Sequence, residues 1–184
     1  MDYSAFSHGQ IQSKLWLCET LEPFLPEQSK VVILGAWYNI LGFMMLTRNR
    51  SKYNLIMGID QNKECVQVAN NIINGWTIGD DYAARNQCAD VNKFNTGSFD
   101  TVINTSVEHM ESTKWFENIK WNSIVCLQTS NMVTDDPNWN IVNPNPDIET
   151  FKLKYPMSQI LFAGEKVFDY GHLKYSRYMI IGKK

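Results

Sequence analysis

The sequence predicts an α/β protein: a doubly wound, mostly parallel sheet with helices on both faces and an antiparallel C-terminal hairpin. Three observations predict it. Short apolar runs alternate with segments of helical periodicity, the pattern of strands joined by crossover helices. The stretch Lys30 to Asp60 reads as a strand ending at Gly35, a turn, a helix and a second strand with a carboxylate at its tip. The last two apolar runs are joined by only a few residues around Gly171. That is too short for a crossover helix, so they must pair antiparallel.

The elements follow in chain order. Apolar residues at 11, 15, 17, 21 and 24 predict an amphipathic helix over 11–24, which Pro23 and Pro26 end. His8, ahead of it, reads as a mobile terminal residue. Residues 30–34 form the first strand, 40–47 an apolar helix, and 54–60 the second strand. Val66, Ala69, Ile72 and Ile73 set a helix over 63–73, with Asn74-Gly75 as its stop. Residues 80–86 read as a short helix or turn, and 87–94 as a weak strand or connection. Strand four is 101–104, then come a short helix at 113–118 and strand five at 123–128. The polar, proline-bearing 134–146 is the longest loop and a candidate lid. Asp147 begins a helix over 147–155, where a carboxylate suits exposed N–H groups. The final strands are 158–168, interrupted at Gly164, and 176–182.

Length and composition narrow the classes. A chain of 184 residues is expected to form one domain, 1–184, with a substantial core. A net charge of −2 provides no general attraction to phosphate backbones, which disfavours nucleic acid as a partner. The clusters Arg48, Arg50, Lys52 and Lys183, Lys184 read as solvated surface charge. Cysteines at 18, 65, 88 and 126 form no CxxC pair and read as reduced and mostly buried, which suits a cytoplasmic protein. The N-terminus lacks the pattern of a signal peptide, and no apolar run is long enough to span a membrane.

Four landmarks stand in a fixed order: Gly35-Ala36-Trp37-Tyr38-Asn39 after strand one, Asp60 ending strand two, Ala89-Asp90-Val91 at the third strand, and Asn104-Thr105-Ser106-Val107-Glu108-His109-Met110 after strand four. With the terminal hairpin, they make the chain resemble the class I S-adenosylmethionine-dependent methyltransferases over nearly its whole length. The segments around INTSVEHM, SIVCLQTSNM and YSRYMIIG look like small single-domain members from viral and microbial genomes. The resemblance implies a Rossmann-like fold, S-adenosylmethionine as cofactor and a small-molecule acceptor. It also implies a cofactor site. Gly35, with Ala36, Trp37 and Tyr38, would face the methionine part, and Gly35 lacks an obstructing Cβ. Asp60, with Gln61 beside it, would accept from both ribose hydroxyls, since a carboxylate has an oxygen for each. Asp90 would accept from the adenine amino group, with Val91 offering its N–H. Asn104, Thr105 and Ser106 would lie beside the reacting methyl. Two departures stand out: Ile33 replaces an acid, and Trp37 and Asn39 stand where relatives carry further glycines.

Each landmark also has an ordinary structural reading. Gly35 suits any tight turn, Asp60 a strand cap, Asp90 a turn bonding its own backbone, and Trp37 and Tyr38 plain packing. Glu108 and His109 are the catalytic candidates. They follow strand four at the C-terminal edge, where open α/β sheets bind substrates. Histidine as a residue type can take a proton near neutrality, and Glu108 could orient it. The pair also resembles small-molecule O-methyltransferases of quinone synthesis and a metal-dependent RNA-end methyltransferase. The latter needs a second glutamate where Thr105 stands, so no metal is expected, and His172 is a remote third ligand at best. Gln128, Thr129, Ser130 and Asn131 could contact a polar acceptor. The leading reading is methyl transfer to O or N of a small molecule. Its rivals are another reaction of the same cofactor (lyase or aminocarboxypropyl transfer) and an inactive partner subunit. The sequence leaves the acceptor and the oligomeric state open.

Overall fold

Side chains in the first strand alternate strictly between two cores, and this alternation organises the molecule. The computed structural model describes residues 2–76, 83–134, 139–171 and 173–184. Its strands are β1 Ser29–Leu34, β2 Tyr53–Asp60, β3 Ala84–Cys88, β4 Thr101–Asn104, β5 Ile124–Ser130, β6 Gln159–Asp169 and β7 Lys174–Lys183. They form one sheet in the order β3-β2-β1-β4-β5-β7-β6. The first five are parallel, and β7 runs antiparallel to both β5 and β6. The helices are α1 His8–Leu21, α2 Ile40–Arg48, α3 Lys63–Trp76, α4 Lys114–Glu117 and α5 Ile148–Lys154.

On one face Val31 and Ile33 pack with Leu17 and Leu21 of α1, Leu41, Met45 and Leu46 of α2, and Ile73 of α3. On the other, Val32 and Leu34 pack with Trp115 and Phe116 of α4 and Phe151 of α5. Both faces are therefore apolar, as a parallel sheet with helices on either side requires. Fully burying a side chain such as Ile33 contributes roughly 1.5–3 kcal/mol. Asp147 caps α5 as the sequence predicts, its Oδ1 accepting the Thr150 N–H at 2.7 Å.

The structure corrects several boundaries. The N-terminal helix starts at His8 and ends at Leu21, and Glu22–Phe24 is a 3-10 turn. His8 is thus the first residue of α1, its ring 3.4 Å from the Tyr170 hydroxyl, and no loose terminus. Helix α3 runs through Asn74-Gly75 to Trp76, because an exposed glycine weakens a helix without having to end it. The third strand begins at Ala84, so 84–86 are strand where a helix or turn was expected, and the segment after Cys88 is a turn. Its polar sequence, ARNQC, hides it because it lies at the sheet edge. Residues 80–82 of that expectation lie outside the described residues. Strand β6 runs through Gly164, and its irregularity falls between Ile160 and Phe162. Gly164 is small because the Phe162 ring lies where its Cβ would be.

Candidate active site

The order of strands places the site. Chain building runs outward from β1 to β2 and β3, then restarts at β4 on the other side of β1. A crevice opens where two adjacent strands send their chains to opposite sides, at their C-terminal ends. Here those ends are Leu34 and Asn104, which are register partners. Gly35 follows one and Thr105-Ser106 the other, and the Ser106 hydroxyl donates to the Gly35 carbonyl at 3.0 Å.

The loop after β1 keeps a glycine-like path almost without glycine. Gly35, Trp37 and Asn39 all lie in the left-handed region, at φ 64°, 53° and 51°. For tryptophan this conformation is a genuine outlier, costing about 1–2 kcal/mol. Two contacts hold it: the Trp37 N–H donates to Asp60 Oδ2 at 2.8 Å, and the indole stacks on Tyr38 with centroids 4.9 Å apart. Trp37 and Tyr38 pack in a small cluster with Ala5, Ile40 and Cys65, and the Tyr38 hydroxyl accepts the Asp2 N–H. Ala36 donates its N–H to the Ile59 carbonyl at 2.9 Å, tying the loop to β2. Asn39 tolerates its backbone more readily. It is buried, caps α2 by accepting the Gly42 N–H, and donates to Asn86 Oδ1 at 2.7 Å. Gly42 and Gly58 leave the space it occupies, since a Cβ on either would collide with its amide.

At the tip of β2, Asp60 is half-buried, and its Oδ1 accepts the Asn62 N–H at 2.9 Å. Each carboxylate oxygen thus has one backbone donor and a second lone pair free to accept another. Gln61 is exposed, and its carbonyl accepts the Cys88 thiol. Asp90 adopts the self-bonded turn: its Oδ1 accepts the Asn92 N–H at 2.9 Å. That bond holds its carboxyl below the ordinary value, with further lowering from the Asn92 side chain and Lys93. Val91 is half-buried against the second core. Asn104 is buried at the tip of β4. Its Oδ1 accepts the Ser106 N–H, and its Nδ2 has no partner among the described residues. Thr105 is half-buried beside it.

The Glu108–His109 pair is split. Both lie in a 3-10 turn, Val107–His109, but Glu108 is buried and faces Arg177, with Oε1 3.5 Å from Nη2. His109 is oriented instead by the loop that follows β5: its Nδ1 lies 3.0 Å from the Asn140 carbonyl oxygen. A carbonyl only accepts, so Nδ1 carries the hydrogen, and in the neutral ring Nε2 then holds the lone pair. The same loop is tied down by the N–H groups of Val142 and Asn143, which donate to the Glu108 carbonyl.

Three groups here carried no signal in the sequence. Lys14 of α1 and Arg177 of β7 are buried, Arg177 facing Glu108, the charges of both acting on Lys14, and Tyr175 adjoining Arg177. Burial pushes the Lys14 ammonium down to about 7; the Arg177 charge adds to this, and Glu108 opposes it. Gln128, Thr129 and Ser130 are buried: Gln128 bonds Ser13 of α1, Thr129 Oγ1 accepts from Asn145 Nδ2, and the Ser130 carbonyl accepts the Asn145 N–H. No group of three metal-ligating side chains occurs among the described residues, and His172 lies outside them. A shallow concavity of about 450 Å³ lies at the opposite edge, lined by Phe24, Asp100, Lys120 and Trp121. It is on the N-terminal side of β4 and β5, away from the crevice.

No family model matches the chain, and no curated protein matches it in sequence. Solved structures do. The N-methyltransferase NodS from Bradyrhizobium japonicum superposes over 95% of this chain and 97% of its own, at TM-score 0.68 and 10% identity. Coclaurine N-methyltransferase, solved with N-methylheliamine and S-adenosylhomocysteine, matches over 95% of this chain and 72% of its own, at TM-score 0.70 and 11% identity. The fold is that of the class I methyltransferases. A third structure with this fold, SpnF, is a [4+2]-cyclase, matching over 95% of this chain and 82% of its own at TM-score 0.69 and 12% identity. The shared architecture therefore leaves the reaction to be argued from the site itself.

Proposed function

We propose that the protein is an enzyme that binds S-adenosylmethionine and transfers its methyl group to O or N of a small-molecule acceptor. The observation that carries this reading is the loop after β1. It spends backbone strain at Trp37 to keep the left-handed path at three alternate positions and anchors that path on Asp60. Strain retained in this way is characteristic of functional loops.

The residues present fit the cofactor. The spare lone pairs of Asp60 suit the ribose hydroxyls, and the unpartnered Asn104 amide at the crevice supplies a donor. Gly35, Ala36, Trp37 and Tyr38 would frame the methionine end, Gln61 would border the ribose, and Thr105 and Ser106 would lie near the methyl. Asp90 and Val91 would meet the adenine. When bound, the cofactor supplies a methyl already activated on a sulfonium, so the protein chiefly aligns the acceptor. His109 Nε2 takes the proton that the acceptor loses, and the Asn140 carbonyl keeps the ring in the tautomer that can do so. Glu108 serves by holding Arg177. A net charge of −2 favours a small molecule over nucleic acid as the acceptor.

Two measurements test this. Calorimetry should show S-adenosylhomocysteine binding about tenfold or more tightly than its 2′-deoxy analogue. Asp60→Ala should erase that difference, whereas a purely structural Asp60 would leave it intact. His109→Gln should lower kcat by at least about a hundredfold at unchanged cofactor affinity. An unaltered kcat would remove His109 from the mechanism.

A further inference from the structure

Beginning at the residue before His109, a buried charge cluster holds, among the described residues, two basic side chains and one carboxylate. Lys14 and Arg177 are 8% and 6% exposed, and the anion facing them, Glu108, is 2% exposed. The Arg177–Glu108 contact is stretched to 3.5 Å and engages one oxygen only. Among the described residues neither Glu108 Oε2 nor Arg177 Nε has a partner. Among the described residues the Lys14 ammonium donates to the neutral amide oxygen of Gln10, at 2.6 Å. Two buried cations against one carboxylate are costly, because a buried charge needs pairing. Folding stability therefore does not account for this arrangement.

The position of the cluster points to a ligand. Arg177 is the register partner of Ser130, at the tip of β5, so it stands on the same sheet edge as Asn104 and the Gly35 loop. Lys14, on α1, feels the charges of both Arg177 and Glu108. The first turn of α1 is built around Gly9, where a Cβ would lie 2.8 Å from the Tyr175 hydroxyl and 2.9 Å from that of Tyr170. Two phenol donors thus converge beside the positive end of a 14-residue helix whose first turn has no side-chain cap. Tyr170 is 38% exposed, so the outer rim of the cluster meets solvent.

We propose that this cluster is the part of the acceptor site that binds a carboxylate, and that the acceptor is a small carboxylate-bearing molecule. The inference rests on the methyl-transfer reading for the identity of the ligand as acceptor. Arg177 and Lys14 take the carboxylate, the planar guanidinium suiting its two oxygens. Glu108 keeps Arg177 in place, and its free oxygen can accept an N–H or O–H from the same molecule. The acceptor's nucleophilic atom then lies toward His109. Burial first, and the Arg177 charge second, lower the Lys14 ammonium, and a bound anion would oppose both.

The test uses the whole chain saturated with S-adenosylhomocysteine, titrated calorimetrically with three matched pairs: acetate and acetamide, glycine and glycinamide, benzoate and benzamide. At least one carboxylate should bind tenfold or more tightly than its amide. Lys14→Met and Arg177→Met should each abolish that preference while S-adenosylhomocysteine affinity, the measure of folding, stays within about twofold. Lys14→Met serves as the safer variant, since it removes a buried charge without orphaning Glu108. A preference below tenfold in every pair, or one that survives Lys14→Met, overturns the proposal. Failure of the methyl-transfer reading appears separately, as absence of S-adenosylhomocysteine binding, and the same titrations on the unliganded protein then still decide whether the cluster takes carboxylates.

Discussion

Lys14 and Trp37 show how single side chains depart from ordinary folding rules at this site. Each is unfavourable where it stands, one as a buried ammonium and the other as a bulky residue at positive φ. The Lys14 penalty has a definite pH signature. Its folded value, about 7, lies below the ordinary lysine value of 10.5. Between these two values the unfolded chain holds a proton that the folded chain has released, so this residue makes stability rise with pH. Below pH 7 both states are protonated and the full cost is present. Lys14→Met should therefore stabilise the protein by several kcal/mol at pH 6 and by much less at pH 10. Chemical denaturation of both forms across that range checks it, and a pH-independent difference would contradict it. Neither residue's role was legible in the sequence. A lysine on an amphipathic helix reads as surface, and only the packing of α1 against β7 makes it buried.

At the scale of elements, local signals usually won, and the misses have identifiable physical causes. Asp147 was readable as a cap because an N-terminal carboxylate acts within its own turn. Strand β4 was readable because the β-branched run Thr101, Val102 and Ile103 suits a fully buried parallel strand. Strand β3 was not, since an edge strand needs no apolar alternation. The Asn74-Gly75 stop failed because α3 is held by packing upstream, through Val66, Ala69 and Ile73, and its last turn continues over a glycine. Gly75 has open space where a Cβ would stand, and it carries no positive φ. Gly75→Ala should therefore raise stability by roughly 0.5–1 kcal/mol, measured by thermal or denaturant unfolding. A destabilised variant would mean that the helix end is not as described.

At the scale of the molecule, the fold delivers residues from five places to one edge: the β1 loop, the tip of β2, the turn after β4, the start of β7 and helix α1. No helix among the described residues is long and apolar enough to cross a membrane. The same architecture serves N-methyltransferases and a cyclase, so the reaction must be tested directly. If the protein transfers the methyl group to an acceptor as proposed, incubation with S-adenosylmethionine alone should yield no methylthioadenosine. Release of methylthioadenosine without an acceptor would favour a lyase or aminocarboxypropyl chemistry instead.

The sequence by itself determined the sheet, its antiparallel closure, the Gly35 turn and the acid ending β2. Each of these follows from periodicity, loop length or a residue's own backbone preference, which act over a few positions. Only the tertiary structure decided that Trp37 and Asn39 take glycine-like conformations, that Glu108 turns from His109 to Arg177, and that Lys14 is buried beside them. Those outcomes depend on which distant groups share a low-dielectric space. Lys14 and Arg177 are 163 positions apart in the chain, and no local pattern records that their charges interact.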